Sequence, residues 1–227
     1  MPITPQEALQ RTIEHREIFH DEMLHLMRMI MNGELSPVMT AALVTGLRVK
    51  KETIGEITAA AQVMREFSTK VHVADPTHLV DIVGTGGDGK NTFNISTLSC
   101  FIVAGAGQKV AKHGNYGAST ISGSSNVMEQ LGYVFKNDAT KLKQELDTAN
   151  ICFLHAPLFN PAMKTVAPIR KELGVKTFFN MLGPMVNPAQ PKNQIVGVFS
   201  LELARLYAYL YQQTDKNYTI IHAVDGF

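Results

Sequence analysis

The chain has 227 residues, 45% of them hydrophobic and 18% charged, with a formal net charge of +1. That content can bury a sizeable core in one domain plus a smaller one, and the balanced charge removes any electrostatic case for a nucleic-acid partner or an acidic membrane surface. No apolar run approaches the ~18 residues that span a bilayer, the polar start PITPQEALQRT is unlike a signal peptide, and Cys100 and Cys152 lie in apolar runs without CxxC or Cys/His spacing, which reads as buried free thiols in a reducing cytoplasm.

Residues 1–75 contain no convincing strand. Thr4-Pro5-Gln6-Glu7 predicts a capped helix start with proline at the first helical position, and Ala8, Leu9 and Ile13 follow at helical spacing. A second helix is expected over 20–31, ending at Asn32-Gly33, a third from Ser36-Pro37, and a fourth over 54–67. Met23, Met27, Met29, Met31, Met39 and Met64 read as core filler in this small helical domain rather than as an interaction face. Asp75-Pro76 marks the crossing into a second region, giving domains 1–75 and 76–227.

From Leu79 onward strand and helix patterns alternate. Strands are expected at 80–83, 109–112, 133–135, 151–155, 195–199 and 218–222, with helices over 95–106, 124–131, 138–149, 162–173 and 201–212. The fold class is therefore α/β, a small helical domain followed by a mainly parallel sheet flanked by helices, with ligands outside the carboxyl ends of the strands.

Two glycine- and hydroxyl-rich turns fall at such ends: GTGGDGKNTFNIST from Gly84 to Thr97, and KHGNYGASTISGS from Lys112 to Ser124. Each lies between a strand-like and a helix-like segment, where backbone N–H groups can be aimed at phosphate oxygens. Asn94, Ser96 and Thr97 supply polar capping groups at the helix start. Neither turn is a P-loop or a dinucleotide fingerprint. Asp88 adds a carboxylate to an anion-binding loop, which makes sense if a cation or a ribose hydroxyl shares the site. Taken singly, Lys112 and Arg170 would be solvated charges and Asn94 and Ser124 helix caps. Lone His25, His72, His78 and His222 are assigned to structure or surface.

The ordered strings GTGGDGKNTFNIST, KHGN, SGS, APLFNPAMKTVAPIRKELG and FFNMLGPMVNPA resemble the anthranilate phosphoribosyltransferases of tryptophan biosynthesis along essentially the whole chain. The resemblance implies a phosphoribosyltransferase of the nucleoside phosphorylase-like fold. It would transfer the phosphoribosyl group of 5-phosphoribosyl 1-pyrophosphate to anthranilate with Mg²⁺, in the cytoplasm, as a homodimer formed through helices 20–31 and 36–49. The alternatives are a pyrimidine nucleoside phosphorylase-like enzyme, an inactive fragment that binds phosphoribosyl compounds, and a purely structural partner.

Carried over by position, the resemblance places Gly84, Gly87 and Asp88 against pyrophosphate and ribose, with Thr92, Asn94, Ile95, Ser96 and Thr97 completing that wall. Ser96 would be the hydroxyl ligand of Mg²⁺. Lys112 would face the phosphates, and the loop of His113, Gly114, Asn115, Tyr116, Gly117, Ala118, Ser119 and Thr120, with Ser124, would donate to them. Gly84, Asn115 and Arg170 would contact anthranilate, Arg170 as the fork on its carboxylate, with His113 helping to orient the ring. No general acid or base stands out, and a neutral aromatic amine needs none. Three positions depart from the family pattern: Tyr116 stands where arginine is common, Asn160 stands where APxxHP has histidine, and the family's metal-holding Asp-Glu pair is expected immediately after Phe227. On that expectation residues 1–227 alone are catalytically crippled but retain phosphate-site affinity.

Overall fold

The computed structural model describes residues 3–86, 92–117 and 122–224. In chain order these form α1 (Pro5–Ile13), α2 (His20–Asn32), α3 (Pro37–Lys50), α4 (Ile54–Phe67), β1 (Val80–Gly84), α5 (Ile95–Gly105), β2 (Val110–Gly114), α6 (Ser124–Gln130) and α7 (Ala139–Ala149). There follow β3 (Ile151–His155), α8 (Ala156–Phe159), α9 (Met163–Leu173), α10 (Phe179–Leu182), β4 (Asn193–Gly197), α11 (Leu201–Gln212) and β5 (Asn217–Ile221).

Contacts divide the chain into two units, Met1–Ser68 with Asn160–Val186, and Thr69–Phe159 with Asn187–Phe227. The helical unit is thus entered twice, where the sequence suggested one crossing at 75/76. Its helices start as their residues dictate. Thr4 accepts from the Glu7 amide ahead of Pro5, Ser36 from the Met39 amide ahead of Pro37, and Thr53 and Glu56 form a reciprocal box. Met23, Leu26, Met27, Ile30 and Met31 of α2 are buried and pack on α4, whose Ala59, Ala60 and Ala61 allow close approach. Each large apolar side chain so buried contributes about 2 kcal/mol, so these methionines belong to the core, as their sequence suggested.

The other unit carries a five-stranded, all-parallel sheet in the order β3-β2-β1-β4-β5. From β1 the chain passes to β2 and β3 on one side, then returns to β4 on the other side of β1. That reversal opens a crevice at the carboxyl ends of β1 and β4, the usual ligand position in such sheets. One core cluster gathers Val71, Val73, Leu79, Ala111, Leu142, Leu146, Cys152, Leu154 and Phe159, and a second gathers Ile82, Cys100, Ala104 and Val110. Both cysteines are buried free thiols, pushed up by burial to about 11 for Cys100 and about 12 for Cys152.

The strand expected at 133–135 does not form. After Gly132, at φ +81, Tyr133 packs edge-on and Phe135 at a tilt against Phe153 of β3, and the Tyr133 hydroxyl donates to Glu145. Aromatic packing on the sheet face takes the place of pairing at its edge. Among the described residues no helix is long and apolar enough to cross a membrane.

Candidate functional site

β1 delivers Gly84 to the crevice, in register with Gly197 of β4. The Thr85 amide donates to the Gly197 carbonyl at 3.0 Å, and Gly86 takes the left-handed region at φ +64. Gly87 and Asp88 lie outside the described residues. The chain resumes at exposed Thr92 and enters α5 through Asn94, whose side chain caps none of the first-turn amides. By contrast, Asp138 caps α7 with bonds from the Thr140 and Lys141 amides, and Ser200 caps α11 from Leu203. The capping expected of Asn94 is absent because its Nδ2 reaches 3.4 Å to the Ser122 carbonyl while its Oδ1 accepts a long bond from Thr97. Among the described residues no side chain caps the first turn of α5, which includes Ile95 and half-buried Ser96; an uncapped helix start, with the positive end of the helix dipole behind it, is a position that can accept an anion.

The second turn leaves β2 at Gly114 and is tied down by the helix that follows it. The Ser125 amide and Ser124 Oγ both donate to the Asn115 carbonyl, at 3.1 and 3.4 Å. Asn126 Oδ1 accepts from the Gly117 amide at 3.1 Å and the Gly123 amide at 2.8 Å. A Cβ on Gly123 would lie 2.5 Å from the Asn115 carbonyl oxygen and the Tyr116 carbonyl carbon, and one on Gly114 would meet Ser124 Oγ and Phe153. Glycine at 114 and 123 is thus a matter of space. Ala118, Ser119 and Thr120 lie outside the described residues. The Asn94 to Ser122 bond brings the two turns together.

Beneath the turns lies a buried polar layer. Lys112, 2% exposed, donates from Nζ to the Ile82 carbonyl at 2.9 Å. The Cys100 thiol points at the same oxygen. Asp81, fully buried, accepts from the His113 amide and from Gln194 Nε2, and burial raises its carboxyl, opposed by Asn187 and the Lys112 charge. Lys112 and His113 are therefore set within the sheet, where the sequence reading had the lysine facing the phosphates. The mismatch follows from parallel strands being covered on both faces, so that neither side of β2 looks out to solvent.

Tyr116, where the family pattern has arginine, is 41% exposed. Its hydroxyl donates to Glu129 at 2.5 Å, which raises the phenol, and its ring lies edge-on to His155 at 5.0 Å. His155 is sandwiched against Phe135 at 4.0 Å with its Nδ1 2.8 Å from Ser125 Oγ, and burial lowers its pKa. Tyr116 thus closes the aromatic side of the second turn.

Arg170 belongs to the helical unit, on α9. Its guanidinium lies 5.3 Å from the centre of the Phe179 ring, and burial lowers its pKa. A guanidinium held beside an aromatic ring is of a type that can recognise a carboxylate. Asn160, the other departure, is 5% exposed, and its carbonyl accepts from the Met163 amide at the start of α9.

Among the described residues no group of three or more His, Cys, Asp or Glu could hold a metal. Ser96 offers one hydroxyl at an open helix start, a donor set that fits Mg²⁺ carried mainly by phosphate oxygens and water. Asn126, Glu129 and the β4 end at Gly197 escaped the sequence reading. For Asn126 the available signal was its place three residues after Gly123, the position where a side chain reaches back to an N-cap.

Residues 6–68 match the family model described as glycosyl transferase family, helical bundle domain, and residues 76–227 match glycosyl transferase family, a/b domain. Among curated relatives, an anthranilate phosphoribosyltransferase of Polaromonas sp. is 62% identical over 99% of this chain and 65% of its own length. The crystal structure of anthranilate phosphoribosyltransferase from Thermus thermophilus superposes with a TM-score of 0.86 at 39% identity, over 97% of this chain and 66% of that one. The Saccharomyces cerevisiae enzyme in complex with PRPP and Mg gives 0.79 at 30% identity, over 98% and 62%. The chain spans about two thirds of the length of the curated relatives it matches.

Proposed function

The chain belongs to the glycosyl transferase family, and from that premise we propose that it transfers the phosphoribosyl group of 5-phosphoribosyl 1-pyrophosphate to the amino group of anthranilate. In this reaction a bond forms between the amine nitrogen and the anomeric carbon, the C–O bond to pyrophosphate breaks, and the amine loses a proton. The observation that carries the reading is the uncapped start of α5 beside the tied second turn, joined through Asn94 and Ser122. The first-turn amides of α5 would then face an anion site that the second turn borders.

The transition state is cationic at the sugar and builds negative charge on the departing pyrophosphate. First-turn amides of α5 and the Thr92 to Thr97 wall would receive that charge, and one well-placed donor is typically worth about 3 kcal/mol. Ser96 would contribute a hydroxyl toward Mg²⁺, which when bound supplies positive charge to the leaving group. Lys112 acts from below, its buried ammonium polarising the Ile82 carbonyl and adding positive potential under the first turn. Gly84 and Asn115 would contact anthranilate, and by the family resemblance alone Arg170 is the candidate partner of its carboxylate. A neutral aromatic amine needs no deprotonation before attack.

The α/β unit is on this reading the phosphoribosyl pyrophosphate domain and the helical unit the dimerisation domain of a cytoplasmic homodimer. Support for the dimer is an apolar groove of about 520 Å³ lined by Leu9, Ile13, Ala41, Ala42 and Val49 on α1 and α3. Ile13 and Val49 are exposed beside it, whereas the apolar face of α2 is consumed in the core. Sedimentation of a monomer alone at micromolar concentration would reject the dimer. Activity is tested by loss of anthranilate fluorescence with phosphoribosyl pyrophosphate and Mg²⁺. It is measured with this chain and with the chain continued by the C-terminal portion of its Polaromonas relative. Consumption by the continued chain is expected; none with either protein, both folded, would overturn the assignment.

A further inference from the structure

The ladder between β1 and β2 stops after its first rung. Among the described residues these strands pair at Val80 and Val110, with the Val80 amide on the Lys109 carbonyl at 3.0 Å, whereas β1 with β4, β2 with β3 and β4 with β5 each stay in register over five pairs. A second rung would place the Ile82 amide on the Ala111 carbonyl and the His113 amide on the Ile82 carbonyl. Side chains take those positions instead. The His113 amide donates to Asp81 Oδ1 at 3.4 Å, and the Ala111 carbonyl accepts from Asn187 Nδ2 at 2.9 Å. The Ile82 carbonyl accepts from Lys112 Nζ at 2.9 Å and from the Cys100 thiol at 3.6 Å. Gln194 of β4 anchors Asp81 in turn, its Nε2 donating to Oδ2 at 3.2 Å. Asp81 is fully buried and Lys112 nearly so, where every backbone group must find a partner inside the protein.

We infer that Asp81 is a positioning residue: by taking the His113 amide it keeps β2 from zipping onto β1, and so leaves the Ile82 carbonyl to hold the Lys112 ammonium beneath the first turn. A carbonyl oxygen has two lone pairs. With Cys100 on one, a rung from His113 would occupy the other and displace Lys112. The inference rests on the phosphate-site reading above, because Lys112 serves that site through the positive potential it sets under the first turn.

The test uses inorganic pyrophosphate as probe. Calorimetry at fixed ionic strength gives its affinity for the chain, Asp81→Ala, Asp81→Asn, Lys112→Met and the Asp81→Ala, Lys112→Met pair. Nuclear magnetic resonance reads the coupling transmitted through a hydrogen bond from the His113 amide nitrogen to the Ile82 carbonyl carbon. Asp81→Ala is expected to create that coupling and to weaken pyrophosphate about tenfold, the scale of one relocated charge in a partly screened site. Asp81→Asn removes the charge and keeps the acceptor, so it should show no coupling and no loss of affinity. In the Lys112→Met background Asp81→Ala should cost nothing further, since a residue acting through Lys112 is not additive with it. Should Asp81→Ala fail to fold by circular dichroism, Asp81→Val, a better strand former, takes its place with the same expectations, and Lys112→Gln likewise replaces Lys112→Met. A folded Asp81→Ala without the coupling, unchanged affinity, or losses that add to those of Lys112→Met overturn the inference. An unmutated chain that binds no pyrophosphate overturns the phosphate-site reading, and the coupling then still decides whether Asp81 holds β2 off β1.

Discussion

After β1 the chain enters α5 with Asn94 in the cap position and none of its side-chain atoms on the first-turn amides. After β2 it enters α6 only once Asn126, Ser124, Ser125 and Glu129 have each engaged the turn. The first turn leaves donors open; the second spends side-chain groups to hold its shape. Both follow parallel strands of one sheet, so the difference lies in the residues that flank the glycines. A glycine-rich turn is held rigid when the next helix returns side chains to it, and where the next helix does not, its own first-turn amides are left to face a ligand; the second turn would border the site that the first turn opens.

The largest expected effect separates the glycines of the two turns. Gly123→Ala forces a methyl into the Asn115 and Tyr116 backbone and should cost about 3 kcal/mol, at the upper end of overpacking. Gly86→Ala meets nothing within 4 Å among the described residues and is strained by its φ of +64, a cost of about 1 kcal/mol. Thermal unfolding followed by circular dichroism compares them, and equal losses would erase the distinction. A smaller effect comes from a residue outside both turns. Arg170→Ala should raise the Michaelis constant for anthranilate about tenfold, some 1.4 kcal/mol, while leaving that for phosphoribosyl pyrophosphate unchanged. Equal weakening of both would assign Arg170 to structure. The smallest stability effect is expected at Asn94. Asn94→Ala removes no cap bond and should cost less than about 0.5 kcal/mol, whereas Asp138→Ala removes the cap of α7 and should cost about 1 kcal/mol. A loss at Asn94 matching that at Asp138 would show that α5 is capped after all.

Much of this was legible in the residues. Thr4-Pro5, Ser36-Pro37 and Asn32-Gly33 placed three helix ends to within a residue because capping is local chemistry. Strands read at 80–83, 151–155 and 218–222 from short β-branched runs form at Val80–Gly84, Ile151–His155 and Asn217–Ile221. What failed needed tertiary information. Tyr133 to Phe135 has strand composition, but its rings find partners on Phe153 and His155, and periodicity cannot see a neighbouring strand. Lys112 lies beside the glycine turn in sequence, yet its side chain leaves β2 toward Ile82, a direction fixed by the register with β1. Asn94 carries the right residue type for a cap, and only the nearness of Ser122 diverts it. Asn160–Val186 reads as part of a continuous α/β alternation, and its membership of the helical unit depends on packing of α9 against α2 and α3.

The central claim is that the start of α5 faces a phosphate site in the α/β unit that the second turn borders. Backbone amide resonances of the isotopically labelled chain, titrated with inorganic pyrophosphate, test it most directly. Saturable shifts are expected at Thr85, Gly86 and the first turn of α5 together with Asn115, Tyr116 and Gly117, following a single binding curve. Shifts confined to one turn, two independent curves, or none at millimolar pyrophosphate would contradict it.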